Sequence, residues 1–153
     1  MSPGSFSRSL HKKGKSVILV IAGFVLALTV FAQTVKETAV PAAVKSAFAK
    51  KYPGINKVKW EKEKGNYEAN FEQQGKEASA VFSATGNFEE SEIGISATEL
   101  PAAVREYVNT HYKGATIKEA AKITKANGEV LYEANVKNKE LIFDAQGGFV
   151  KVV

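Results

Sequence analysis

The sequence predicts an α+β fold made of two tandem repeats, each a helix followed by an antiparallel meander, forming one continuous sheet of about eight strands with the helices on one face. Three observations carry this expectation. Tyr67-Glu68-Ala69-Asn70 recurs as Tyr132-Glu133-Ala134-Asn135. Each copy is preceded by Pro-Ala-Ala-Val, starting at Pro41 and at Pro101. Each is followed by Phe-x-Ala-x-Gly-x-Phe, running from Phe82 to Phe88 and from Phe143 to Phe149. The same features in the same order mark a supersecondary unit copied once, since one such unit alone cannot bury its apolar face.

The first residues read as a leader rather than as part of the fold. Arg8, Lys12, Lys13 and Lys15 form a positive start, Val17 to Phe31 is an apolar run, and Val30-Phe31-Ala32 offers small residues for cleavage, so residues 1–32 are expected to be a signal peptide. The run is shorter than the roughly 20 residues that span a bilayer. No cysteine follows it, which argues against a lipid-anchored lipoprotein. The expected location is therefore periplasmic or secreted, with no membrane contact after cleavage.

The chain has 21 Lys+Arg, 16 Asp+Glu and a formal charge of +5. All of the leader's charges are basic, and without those four the remaining residues carry 17 basic groups against 16 acidic ones, close to neutral. The basic excess thus belongs to the export signal, and nucleic acid is not an expected partner. With no cysteine there is no disulfide framework, so about 120 residues must cohere by burial alone. One domain of that size buries nearly 70% of its unfolded surface, whereas a lone half of about 60 residues is marginal. The halves are therefore expected to share a core or a sheet within one domain, residues 33–153, with repeats over 39–95 and 98–153.

Gln33 to Thr38 reads as a loose polar lead-in. The first helix follows, with Pro41 in its first turn and Val40, Val44, Ala47, Phe48 and Tyr52 along one stripe. Pro53-Gly54 ends it. Segments of period two come next: Val58 and Trp60 share a face, as do Tyr67, Ala69 and Phe71, then Ala78, Ala80, Phe82 and Ala84. Lys64-Gly65-Asn66, Gln74-Gly75-Lys76 and Thr85-Gly86-Asn87 supply the turns, and Phe88 to Ile95 the fourth strand. In the second unit Thr98 is expected to cap a helix with Glu99 in its first turn and Leu100, Val104, Tyr107, Val108 and Tyr112 on its stripe. Lys113-Gly114 closes it. Strands are expected over 117–126, 130–137, 140–145 and 149–153, with turns at Asn127-Gly128, Asn138-Lys139 and Gln146-Gly147-Gly148.

The copies diverge between strands, not within them. Their helices are 60 residues apart, the tetrapeptides 65 and the hairpin phenylalanines 61, so length changed only in strand connections. Aligning the helices sets Trp60 opposite Ala120.

Two helix-plus-meander units with Tyr-x-Ala-x-Phe or Tyr-x-Ala-x-Val followed by Phe-x-Ala-x-Gly-x-Phe resemble the PepSY-like proteins described as β-lactamase-inhibitor-like. The resemblance covers nearly all of residues 33–153. It implies a binding or inhibitory module of the bacterial cell envelope, helices on one face of a curved sheet and the other face turned to a partner. The inhibitor is disulfide-bonded; this chain has no cysteine.

Residues for catalysis are sparse. Beyond the leader His111 and Asp144 are the sole histidine and aspartate, so a Ser-His-Asp arrangement would have to use both. His111 reads instead as a helix C-terminal cap, and Asp144 as the start of a turn. Glu89, Glu90 and Glu92 read as a solvated strand edge rather than a calcium site, and a zinc site lacks its usual ligands. No catalytic residue, metal or cofactor is expected. Trp60, Tyr67 and Tyr132 combine large apolar area with a polar tip and are the candidate partner-binding residues. The expected function is an exported, non-enzymatic module that recognises a protein or peptide through the open sheet face. The alternative is a structural protein self-associating as a homodimer.

Overall fold

The computed structural model describes residues 32–153. Of the leader, all but Ala32 lies outside the described residues. Among the described residues nine strands form one sheet: β1 (Gln33–Val35), β2 (Lys59–Glu63), β3 (Asn66–Gln73), β4 (Lys76–Phe82), β5 (Phe88–Ile95), β6 (Ile117–Lys125), β7 (Val130–Val136), β8 (Lys139–Asp144) and β9 (Phe149–Val152). Helix α1 (Ala42–Lys51) lies between β1 and β2 in the chain, and α2 (Ala102–His111) between β5 and β6. The strands lie side by side in chain order, every neighbouring pair antiparallel. Among the described residues no helix is long and apolar enough to cross a membrane.

The sheet has one strand more than expected because the lead-in is ordered. Val35 pairs with Trp60 and Thr34 with Glu61, which extends the ladder past β2. The helix starts also differ from expectation. A single 3-10 turn precedes each, Glu37–Ala39 and Ala97–Glu99, and Pro41 and Pro101 stand at the caps. Proline pushes the residue before it into extended backbone, so Val40 (φ −81°, ψ 129°) and Leu100 (φ −64°, ψ 148°) break the turn from the helix. Ser96, not Thr98, is the residue Glu99 reaches back to, its carboxylate accepting from the Ser96 amide at 2.7 Å and hydroxyl at 2.9 Å.

Period two separates the side chains of each strand into two sets. In each repeat one set meets that repeat's helix. Val44 and Phe48 of α1 pack with Trp60, Tyr67, Ala69, Phe71, Ala80 and Phe82 in the first core, which Ile93 joins from its edge. Val104 and Val108 of α2 pack with Ala120, Ala134, Val136, Leu141 and Phe143 in the second, which Ile95 joins. Phe48 is the hub of the first core, its ring 5.1 Å from Phe71, 5.5 Å from Trp60 and 6.3 Å from Phe82, all edge-on. The register also reproduces the internal alignment: Trp60 is the cross-strand partner of Ala69 and Ala120 that of Ala134.

The glycine of each Phe-x-Ala-x-Gly-x-Phe hairpin ties the sheet to a helix. Gly86 (φ +87°) lies so close to α1 that a Cβ would sit 2.7 Å from the Ala43 carbonyl oxygen. Gly147 (φ +86°) does the same at α2, 2.9 Å from the Ala103 Cβ. Both the left-handed backbone and the close approach exclude a side chain.

Candidate functional site

The repeated tetrapeptide divides its four residues between the two faces. Tyr67 and Ala69 belong to the first core and Ala134 to the second, with Tyr132 packed at that core's margin. Glu68, Asn70, Glu133 and Asn135, being of opposite parity, project to the other side of the strands. That side holds every buried polar residue among those described: Glu61, Glu68, Asn70 and Glu133, exposed by 4%, 8%, 8% and 2%. Glu68 stands opposite Glu61 on β2 and Val81 on β4; Glu133 stands opposite Ala121 on β6 and Ile142 on β8. Asn70, Ser79 and Glu92 form a row across β3, β4 and β5.

Some of these groups have protein partners and others lack them. Lys59 Nζ donates to Glu61 Oε1 at 2.5 Å, and Lys125 Nζ pairs with Glu90. The Ser79 hydroxyl lies beside the Glu68 carboxyl and favours its charged form. Asn70 Nδ2 and Glu133 Oε2 have no hydrogen-bond partner. Buried polar groups are ordinarily satisfied, and an orphan costs about 1–3 kcal/mol.

The electrostatics follow from carboxyls withdrawn from water with few cations beside them. Burial pushes Glu68 up to about 7, opposed by the Ser79 hydroxyl and assisted by Glu61, Glu63 and Glu90. Glu92 is pushed up to about 9, by burial first and then by Glu133, Glu68, Glu90 and Glu140. Glu133 rises to about 8 through burial and the charges of Glu140 and Glu119. Desolvation penalises the charged form, and like charges nearby add to it.

A cleft of about 980 Å³ opens against one end of this face, where Glu68, Asn70, Ser79, Glu92, Gly94 and Ala121 line it. Gly94 and Ala121 face each other across β5 and β6, and their small size leaves the depression beside Glu92. Four lysines line it as well, Lys57, Lys59, Lys76 and Lys118, and of these Lys59 is engaged with Glu61, Lys76 with Glu99 and Lys118 with Asn138. Among the described residues no three carboxylate or imidazole groups converge to hold a metal ion.

The aromatic candidates lie elsewhere. Trp60 and Tyr67 are buried beneath α1, at 4% and 7% exposure, so their area is used within the chain. Tyr132 is half-buried at the margin of the second core. His111 stacks on Tyr107 at 4.0 Å, with Nδ1 3.0 Å from the Tyr107 carbonyl oxygen. Asp144 Oδ1 accepts from the amides of Gln146 and Gly148 at 2.9 and 2.7 Å, closing the hairpin turn. The expectation of a solvated edge at Glu89, Glu90 and Glu92 does not hold for the last two: β5 is the central strand of the sheet, which places them in its interior.

Sequence reasoning thus passed over Glu68, Asn70 and Glu133 as site residues, and read Glu92 as part of a solvated edge. One signal was available. Solvated positions drift between copies, yet Glu and Asn of the tetrapeptide are identical in both while Trp60 has become alanine.

This is a duplicated helix-and-meander domain whose distinctive polar groups sit on the sheet itself. The chain belongs to the beta-lactamase-inhibitor-like, PepSY-like family, whose model matches residues 29–90 and 65–151. Solved structures of similar fold include a protein of Bacteroides eggerthii described as periplasmic, 17% identical with a TM-score of 0.69, covering 74% of this chain and 88% of that one. Another is a BLIP-like protein of Bacteroides fragilis, 23% identical with a TM-score of 0.63, covering 74% of this chain and 85% of that one. No curated protein matches the chain.

Proposed function

We infer that the protein is an exported, non-enzymatic binding module of the periplasm that takes a protein or peptide partner on the sheet face opposite its helices. Both helices then lie on one face: Ile93 and Ile95 are two residues apart on β5, hence on the same side, and they join the first and second cores respectively. The observation that carries the reading is the duplicated Glu-x-Asn pair on the remaining face. Glu68 and Glu133 are both more than nine-tenths buried, and burying a carboxyl without a cation is destabilising, so its retention in both copies points to use. The leader favours export, and relatives of this fold include a protein described as periplasmic. Recognition, rather than the aromatic trio Trp60, Tyr67 and Tyr132, is assigned to the acidic face.

The test is capture of a partner from envelope extract, followed by Glu72→Lys, Glu77→Lys and Glu119→Lys together. All three are exposed on this face and can be reversed without disturbing the core. Loss of the captured partner supports the reading; undiminished capture overturns it.

Self-association is the second reading, and a different surface favours it. The large apolar residues most exposed among those described are Phe149, Val150, Val152 and Val153, all on or beside β9, the last strand of the sheet. Exposed apolar strand edges pair readily with another copy.

A further inference from the structure

We propose that the cleft at β3–β5 is a receptor for a basic peptide side chain of the partner, with an arginine or lysine seated between Glu68 and Glu92 and a peptide carbonyl accepting from Asn70 Nδ2. This rests on the recognition function inferred for the same face.

The cleft's chemistry selects that ligand. Its lining carries six glutamates, Glu68, Glu72, Glu77, Glu92, Glu99 and Glu119, against four lysines, Lys57, Lys59, Lys76 and Lys118, and two of those are engaged with carboxylates, Lys59 with Glu61 and Lys76 with Glu99. Uncompensated buried carboxyls are stabilised by an opposite charge, and a guanidinium meets a carboxylate with two parallel hydrogen bonds. A metal ion fits less well, since no three carboxylate or imidazole groups converge among the described residues.

Asn70 supplies the independent indication of a ligand. It is 8% exposed, it lines the cleft, and its Nδ2 has no partner. A donor stranded among carboxyls is of no use to a bare cation. A peptide has what both groups lack: a carbonyl for the amide and a cation for the acids. Gly94 and Ala121, opposite each other on the cleft floor, leave room for a backbone to approach.

Binding is also linked to protons. Glu92 faces Glu133, Glu68, Glu90 and Glu140, while Glu68 faces Glu61, Glu63 and Glu90; Lys59 pairs with Glu61, Lys125 with Glu90 and Lys76 with Glu99, and Lys57, Lys118 and Glu119 line the same cleft. A bound cation favours the ionised carboxyls, so affinity strengthens as pH rises from about 6 to 9.

The experiment is a nuclear magnetic resonance titration of the protein with acetyl-Gly-Arg-Gly-amide, beside the same peptide with lysine, with neutral citrulline, and free arginine. The expected result is saturable shifts at the Asn70 side-chain amide and at Ser79, Gly94 and Ala121. Citrulline should bind at least about tenfold more weakly, as should the arginine peptide to Glu92→Gln. Free arginine should leave the Asn70 amide unmoved. Asn70→Ala should weaken the arginine peptide a few-fold and keep the citrulline discrimination. Equal binding of the arginine and citrulline peptides, or shifts indifferent to Glu92→Gln, overturns the proposal. Shifts with free arginine equal to those with the peptide would make the site one for a small organic cation and overturn the peptide assignment. If the peptide arms fail while the triple-lysine variant still loses the captured partner, the basic-side-chain inference falls and the recognition reading stands.

Discussion

Replacing Glu133 by glutamine tests the electrostatics at their most buried point. The side chain is 2% exposed, one of its oxygens has no partner, and burial is the largest cause of its rise to about 8. Glutamine keeps the shape and removes the charge. Between the ordinary carboxyl value of 4.5 and about 8 the folded protein holds a proton that the unfolded chain has released. The unfolded state therefore binds fewer protons, and stability falls as pH rises through that window. At 1.36 kcal/mol per pH unit the ceiling for this one group is about 5 kcal/mol above pH 8. Water entry and relaxation reduce it, so about half, roughly 2–3 kcal/mol, is the working figure, or about 10 °C in Tm for a domain of this size. Thermal unfolding followed by circular dichroism at pH 5, 7 and 9 measures it. At pH 5 parent and Glu133→Gln should melt within a few degrees of each other. At pH 9 the variant should melt about 10 °C higher. Equal declines in the two proteins, or a parent that gains stability from pH 5 to pH 9, would refute the reasoning.

Three further outcomes are expected. Trp60→Ala should cost about 3–5 kcal/mol in denaturant unfolding, because it opens a hole against Phe48; a cost under about 1 kcal/mol would return Trp60 to the surface. Gly147→Ala should destabilise by at least about 1 kcal/mol more than Gly128→Ala, since both share φ +86° but only Gly147 meets a helix; equal costs in unfolding midpoints would mean that backbone strain alone is at work. Any concentration-dependent mass in light scattering should disappear in Val150→Lys, whose charge lies on the β9 edge, and a dimer persisting in that variant would place self-association elsewhere.

The duplication, the helices and the hairpins were legible in the chain itself because each is local physics. Pro-Ala-Ala-Val and Pro53-Gly54 delimit a helix through backbone chemistry. Lys64-Gly65 and Gln74-Gly75 take left-handed conformations at the turns expected of them. The turn before β8 shifted by one residue to Lys137 and Asn138, a displacement that propensity cannot resolve since Asn accepts the left-handed region from either place. The lead-in was missed as a strand because its order comes from pairing with β2, where Val35 meets Trp60, a partner 25 residues away in the chain.

Which parity of each strand meets the helices was beyond sequence, because alternation names two faces without saying which is covered. Trp60 and Tyr67 looked like a recognition surface on composition and became core once α1 was laid over them. Glu68, Asn70 and Glu133 stood on a parity that alternation left unassigned, and they became buried polar groups of the sheet. Composition and spacing along the chain determined that one helix-and-meander unit was copied and joined to its copy in a single sheet. The tertiary packing alone decided that the acidic parity would be withdrawn from water, since burial depends on what lies across the strands and no residue carries that information by itself.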